Sequence, residues 1–360
     1  MSKKRICLLF GGKSGEHEVS LQSAKSIYEA LDKEKYEVLL VGIDKQGKWR
    51  LGNSANYLLN ADSGDYTQTK LNTEAMQAIV PVSDNNTTSL ISQSNGREMG
   101  KVDIVLPAVH GPYGEDGKLQ GMLDMLGVPY VFSGTLASAL AMNKAKTKLI
   151  AKSIGLTVAE DIVLEKDNEY NINNIINKLS LPIVVKPNEL GSSVGTTIVN
   201  SAQELKAGIK EGFKYDHTLI LEQFIKGREL TVPIMGNNSP KALPVIEIIP
   251  KVSGWFDYRA KYAVGGSDEI CPADIPGDIK SKIQEMSVKI FKAVGCADLA
   301  RADFIWSKEN GELYFLEINT IPGLTKNSLT PKAAKVAGMS FSEFLDKLIK
   351  LAEKRYNKKL

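Results

Sequence analysis

The chain has 360 residues, 45 Lys+Arg against 42 Asp+Glu for a formal charge of +3, and 43% hydrophobic side chains. At roughly 100 to 200 residues per domain this length implies two or three domains and excludes a single small module. The opposing charges are spread along the chain with no basic stripe, which excludes nucleic acid as an expected partner.

The first elements follow from apolar runs and punctuation. Ile6–Phe10 reads as a buried strand, Gly11 and Gly12 as a turn, about Val19 to Leu31 as a helix, and Tyr36–Ile43 as a second strand. That succession opens a parallel α/β unit. The basic start Lys3-Lys4-Arg5 precedes too few apolar residues for a signal-peptide core, and no run approaches a membrane span, so a soluble, cytoplasmic protein is expected. Cys7, Cys271 and Cys296 are widely separated, with no Cys-x-x-Cys pair. Neither a disulfide framework nor a zinc site is expected. The glycine turn is not a P-loop, because Cys7 stands where the first glycine belongs, and glycines at 11, 12 and 15 do not make G-x-G-x-x-G. Free amides before a helix suit a phosphate or a carboxylate. A plain strand-to-helix turn has the same composition.

From about Asn53 to Gly100 the chain is rich in Asn, Ser, Thr and Asp with weak periodicity, and is expected to be a peripheral insertion. Val102–Val109 resumes as a buried strand, and a small-residue run from Ser133 to Ala151, carrying Lys144, Lys146 and Lys148, reads as helical. After Leu181 short β-rich runs follow one another at 181–186, 196–199, 218–222 and 229–234, as in two antiparallel sheets with helices. Lys186 ends an apolar strand before the loop Pro187-Asn-Glu-Leu-Gly191-Ser192-Ser193-Val194-Gly195. Such a loop offers backbone and hydroxyl donors to phosphates, and a phosphate would offset the desolvation of the Lys186 ammonium. A lysine snorkelling from a strand end is the alternative. The strand through Glu222 leads into Gln223, Phe224 and Ile225, whose main chain suits a base, with Glu229 placed for a ribose.

Leu299–Trp306 and Leu313–Asn319 flank a turn containing Asn310-Gly311 and form a hairpin. Centred on Asn310, the register sets Asp303 opposite Glu317 and Arg301 opposite Asn319, all on one face. Ala302, Phe304, Trp306, Leu316 and Ile318 take the apolar face. A one-residue slip would bury Asp303, so burial selects this register. Two carboxylates and an amide oxygen suit Mg²⁺, which takes carboxylates together with substrate phosphate and water. A solvated polar face with an Arg/Asp ion pair is the other reading. The chain closes on an amphipathic helix, Ser340 to Lys354, with Phe341, Phe344, Leu345 and Leu348 at helical spacing.

Taken in order, Gly11-Gly12 with Glu16-His17-Glu18-Val19-Ser20, His110-Gly-Pro-Tyr-Gly-Glu-Asp-Gly117, Lys186–Gly195, Tyr258-Arg-Ala-Lys-Tyr262 and Glu317-Ile-Asn-Thr-Ile-Pro-Gly323 resemble the D-alanine:D-alanine ligases of the ATP-grasp superfamily. The likeness runs from about residue 4 to about residue 350. It implies an α/β and α+β multidomain protein: an N-terminal parallel-sheet, Rossmann-like pre-ATP-grasp domain (1–135), a central ATP-grasp subdomain (136–227) and a C-terminal one (228–360). ATP is implied under the 191–195 loop, with Lys144, Lys186 and Lys261 at its phosphates beside Ser192 and Ser193, and Glu222 and Glu229 at the adenosine. Gln223 stands where members often carry lysine. Asp303, Glu317 and Asn319 are implied to hold two Mg²⁺ ions, with Mn²⁺ as a substitute. The likeness further assigns Glu18 to the ammonium of the first D-alanine, Arg301 and the Gly323 backbone to the oxyanion, and Ser328 to the carboxylate of the second. Ser192 and Tyr262 would link with Glu18 to order the site, under a lid at 253–266. His17 and His110 are candidate proton acceptors nearby. A homodimer through the N-terminal domain is implied as well. Relatives that use D-lactate or D-serine usually replace the lid Lys-Tyr pair, and Lys261-Tyr262 is intact here, which favours the dipeptide. A nucleotide-binding regulator on the same fold is the alternative from another class.

Overall fold

The computed structural model describes residues 3–63, 66–84, 87–251 and 265–357. Lys4–Gly11 pairs in parallel with Tyr36–Ile43 on one side and Ile104–Pro107 on the other. Alternation along the first strand explains its unbroken apolar run. Ile6, Leu8 and Phe10 meet Leu21, Ala24 and Ile27 of the helix His17–Ala30, while Cys7 and Leu9 pack with Val41, Leu119 and Leu123 across the sheet. A strand covered on both faces has no polar side to show.

The polar stretch is not peripheral, contrary to expectation. Trp49–Gly52, Gln77–Asp84, Thr87–Ser92 and Glu98–Val102 extend this sheet to seven strands among the described residues. Its weak periodicity has a physical cause: strands toward the edge are half covered, so that Val80 and Val82 are exposed while Ile79 and Leu90 are buried. Between them Leu58–Leu59 pairs with Lys70–Leu71, and Tyr57, Leu71 and Met76 sink into the core.

The Ser133–Ala151 run is helical as expected and forms two helices, Thr135–Met142 and Lys144–Ser153. Asn143 divides them: its backbone is extended and its side chain accepts a hydrogen bond from the Lys146 amide at 3.0 Å, an N-cap that starts the second helix. An antiparallel four-stranded sheet follows, in the order Asp161–Glu165, Thr218–Gln223, Ile183–Pro187, Thr197–Val199. The helices Ile172–Leu179 and Ala202–Gly212 share its core. The other antiparallel sheet is built on Gly227–Met235 and Leu299–Ser307, paired over nine residues, with Ile246–Pro250, Ser267–Ile270 and Leu313–Asn319 outside them. The helix Gly277–Val294 packs on it and ends at the left-handed Gly295, φ 80°. The last helix, Phe341–Tyr356, returns to the first sheet, where Phe344, Leu345, Leu348 and Ile349 join the core of Leu8 and Phe10.

Candidate active site

A cavity of about 500 Å³ lies where these three sheets meet, lined by Glu16, Lys144, Ser192, Arg301, Glu317, Asn319, Gly323 and Ser328 among others. Its first wall comes from the start of the helix His17–Ala30. Ser20 accepts from the Gly11 amide at 2.7 Å and donates to the Ala108 carbonyl, tying the ends of two parallel strands to that helix. Glu16 is the residue before the helix, and its carboxylate accepts a hydrogen bond from the Ser192 hydroxyl. Two glycines make room for it. A Cβ on Gly111, which has φ 70°, would lie 2.6 Å from Glu16 Oε2, and one on Gly191 would lie 3.0 Å from the same atom.

Glu18 is not in the cavity. Its Oε1 is 2.6 Å from Lys45 Nζ on the flank of the helix. Two positions on a helix are about 200° apart, so Glu16 and Glu18 face opposite ways, and it is Glu16 that lines the cavity. His17 is also turned inward, with Nδ1 2.7 Å from the Gly12 carbonyl. His110 does line the cavity. Its Nε2 is 3.1 Å from Ser23 Oγ, and burial lowers its pKa below the usual value.

The residues of the 186–195 loop are gathered by the N-terminus of the helix Lys144–Ser153. The Ala145 amide donates to Asn188 Oδ1 at 2.9 Å, and Asn143 Nδ2 to Glu189 Oε1 at 2.6 Å. Lys144 Nζ donates to the Leu190 carbonyl at 2.6 Å and lies 3.8 Å from Glu317. Ser192, Ser193 and Gly195 all have positive φ (52°, 58° and 70°), backbone of the kind that turns amides into an anion-binding concavity. Lys186 is 2.5 Å from Glu222 Oε2, and Lys148, fully buried, is 2.7 Å from Glu222 Oε1. Burial works against these charges. Lys186 and Lys148 nonetheless hold the Glu222 carboxyl down at about 2, and Glu222 raises Lys186. The Gln223 and Phe224 amides donate to the Glu160 and Pro182 carbonyls at 2.9 and 3.2 Å. Those two N–H groups are therefore taken, which narrows the main-chain contact expected from the 223–225 stretch. Glu229 sits on the neighbouring sheet, opposite Ile248 and Ile305.

The hairpin has the anticipated register at its cavity end: Arg301 faces Asn319 and Asp303 faces Glu317. A bulge then follows between Asp303 and Phe304 and shifts the pairing by one residue. The core face consequently holds Phe304 and Phe315, edge to face at 5.6 Å, while Leu316 and Trp306 are half-buried, a departure from the expected set. The bulge lets both phenyl rings turn inward without turning the carboxylates with them. Arg301 grips Asp303 with two hydrogen bonds of 2.9 and 2.8 Å, and Thr231 donates to the same carboxylate. Burial opposes the Arg301 charge, but Asp303 holds the guanidinium above its ordinary pKa. Among the described residues no three His, Cys, Asp or Glu side chains converge on a point. Mg²⁺ does not require that. Asp303 and Glu317 as direct cross-strand neighbours, with Asn319 two residues on, form an all-oxygen donor set that fits an ion sharing its shell with phosphate and water.

Gly323 and Ser328 close the remaining wall. Ser328 precedes the helix Leu329–Val336, and its Oγ is 2.8 Å from Thr325 Oγ1. A carboxylate at that helix start would meet free amides. Lys261 and Tyr262 lie outside the described residues. Three further cavity groups carried no assigned role in the sequence reading. Glu115, within the His110–Gly117 block, accepts from the Gly111 amide at 2.7 Å, and burial together with the charge of Glu16 pushes its carboxyl up to about 8. Lys332 pairs with Glu269 at the cavity wall. Tyr66, from the polar stretch, is the third. Only the block containing Glu115 offered a signal.

Two family models match, described as "D-ala D-ala ligase N-terminus" over residues 5–133 and "D-ala D-ala ligase C-terminus" over 150–350. D-alanine–D-alanine ligase A of Escherichia coli K12 is 41% identical over 359 residues, covering 99% of this chain and 97% of that protein. Among solved structures, the VanG D-Ala:D-Ser ligase of Enterococcus faecalis superposes with a TM-score of 0.83 at 35% identity, covering 98% of this chain and all of that one. The D-alanine–D-alanine ligase of Bacillus anthracis complexed with ATP gives 0.71 at 28% identity, with 99% of each chain covered.

Proposed function

The chain belongs to the D-alanine–D-alanine ligase family, and on that footing we propose that it joins two D-alanines at the expense of ATP, by way of a D-alanyl phosphate. Its architecture is the mixed α/β, ATP-grasp arrangement of that family. The observation that carries the reading is one cavity lined by a carboxylate (Glu16), a lysine (Lys144), an arginine (Arg301) and a helix start (Ser328).

A carboxylate is inert to amines until it is activated. In the proposed reaction the carboxylate oxygen of the first D-alanine, its ammonium on Glu16, attacks the γ-phosphorus of ATP and ADP departs. Lys144, Lys186 and the amides and hydroxyls of 191–195 offset the phosphate charge during that transfer. The amine of the second D-alanine, its carboxylate at Ser328 and the helix start, loses a proton and attacks the acyl carbon. The oxyanion of the tetrahedral intermediate lies against Arg301 and the Gly323 amide, and collapse expels phosphate. Asp303, Glu317 and Asn319 would hold Mg²⁺, which when bound supplies further neutralisation of the triphosphate. Glu222 and Glu229 are assigned to the adenosine. Lys261 and Tyr262 are assigned to a lid that excludes water from the acyl phosphate.

The dipeptide is proposed as a peptidoglycan precursor made in the cytoplasm by a homodimer. No described helix is long and apolar enough to cross a membrane. A D-alanine titration of phosphate release, with the product identified by chromatography, tests the reaction. D-alanine-dependent phosphate and D-alanyl-D-alanine are expected, and ATP binding without turnover on any D- or L-amino acid would overturn it. The likeness to a D-Ala:D-Ser ligase supports a second reading, in which a mixed D-alanine and D-serine reaction yields predominantly D-alanyl-D-serine.

A further inference from the structure

We infer that Tyr66, on a segment that Gln22 fastens through Ala61 and Thr69, is a specificity-determining residue that limits the side chain of the first D-amino acid, so that the stretch around it is a working wall of the site. The inference rests on the ligase reading above. Along the helix His17–Ala30, Val19, Gln22 and Ser23 follow Glu16 at helical spacing and line the same cavity, and Tyr66 lines it with them. Lys144 and Leu190, joined by a 2.6 Å hydrogen bond, belong to the helix and loop that meet Glu16 through Ser192. An amino acid whose ammonium is on Glu16 and whose carboxylate is turned toward those groups can turn its side chain along the face of the helix that follows Glu16. That direction is the wall of Val19, Ser23, Gln22 and Tyr66.

Size discrimination needs a wall that does not yield, and the segment is fastened at several points. Gln22 Nε2 donates to Thr69 Oγ1 at 2.6 Å and to the Ala61 carbonyl at 3.2 Å. Lys25 pairs with Asp62 at 3.1 Å. Thr69 is fully buried, and Tyr57 packs edge to face on Phe10 at 5.6 Å. Leu71 and Met76 enter the core behind it. These attachments join the turn Tyr66–Gln68 to the same helix that begins at Glu16.

The test uses the full-length protein with ATP and mixtures of D-alanine and D-valine, the order of residues in the product being read by tandem mass spectrometry. Tyr66→Ala is expected to raise kcat/KM for D-valine relative to D-alanine at the amino-terminal position by about tenfold or more, the scale on which apolar pockets discriminate methylenes. The KM for ATP should stay put. Tyr66→Phe, which keeps the ring, should return the ratio to that of the wild type, and Gln22→Ala, which loosens the segment, should move it in the same direction as Tyr66→Ala. A ratio unmoved in folded Tyr66→Ala and Gln22→Ala proteins overturns the inference, as does a gain confined to the carboxy-terminal residue. The wild type run alongside separates the two failures: if it makes dipeptide while the variants do not widen, this inference alone falls. If it releases no D-alanine-dependent phosphate, the ligase reading falls and takes this one with it.

Discussion

Glu222 carries two lysines on one carboxylate, and its neighbourhood sets how the protein answers to acid. Lys186 and Lys148 hold its pKa at about 2 against burial, well under its ordinary 4.5. A carboxyl depressed by folding binds fewer protons in the native than in the unfolded state between those values. Its stabilisation is therefore complete above pH about 4.5 and is lost as the pH falls toward 2. Glu222→Gln is expected to flatten that part of the stability curve, measured by urea denaturation at a series of pH values. Lys148, which also donates to the Ala159 carbonyl at 2.9 Å, keeps Glu222 neutralised whatever Lys186 binds. Arg301 is a different case, because the proposed oxyanion is present only during reaction. Arg301→Lys keeps a cation beside Asp303 but loses the two-pronged geometry, and should lower kcat about 10²- to 10³-fold while leaving the KM for ATP nearly unchanged. Steady-state kinetics with each substrate varied would check this. The exchange of Glu18 for Glu16 belongs here too: the Glu-His-Glu triplet names two carboxylates, and only the point where the helix begins decides which one looks into the cavity.

Secondary structure elements act through their ends and irregularities. The bulge after Asp303 separates two demands on one hairpin, carboxylates toward the cavity and phenyl rings toward the core, which strict alternation would have set against each other. The last helix is held at its start by a reciprocal cap. The Glu343 amide donates to Ser340 Oγ, and the Ser340 amide donates to Glu343 Oε2 at 2.8 Å. Ser340→Ala is expected to cost about 1 kcal/mol, read as a shift of the denaturation midpoint with an unchanged slope. No loss of kcat should accompany it, since the helix packs on the first sheet away from the cavity lining. Its apolar spacing was legible along the chain, because it depends only on residues within a turn or two of one another.

That same helix buckles the protein together. Lys4 pairs with Glu353, Tyr36 donates to Asp346 Oδ1 at 2.5 Å, and Arg355 reaches both the Tyr130 carbonyl at 2.7 Å and the buried Asp298 at 3.1 Å. Asp298 in turn accepts from the Phe132 amide at 3.0 Å, joining the first sheet to the strand that leads to Arg301. The cavity therefore rests on a frame built from the protein's own contacts. Asp303 has protein partners of its own in Arg301 and Thr231. Chelation with EDTA is accordingly expected to abolish D-alanine-dependent phosphate release while leaving the melting temperature of the nucleotide-free protein within about a degree of its original value. A large drop on chelation would instead mean that the metal is part of the fold.

The opening parallel strands, the first and last helices and the hairpin register at its cavity end could be read from residue order because each rests on a period of two or of about 3.6, whereas the edge strands of the polar stretch and the bulge after Asp303 could not. Ser192, Arg301 and Glu317, grouped along the chain by chemistry and family likeness, do line one cavity. Three-dimensional packing alone settled the rest. Tyr66 lines the cavity on a segment that Gln22, distant in sequence, bonds at Ala61 and Thr69. Polar composition cannot announce such a contact, because a surface loop and a cavity wall draw on the same side chains. Glu16, Glu115 and Lys148 likewise differ from their unremarkable neighbours only in what the fold brings up against them.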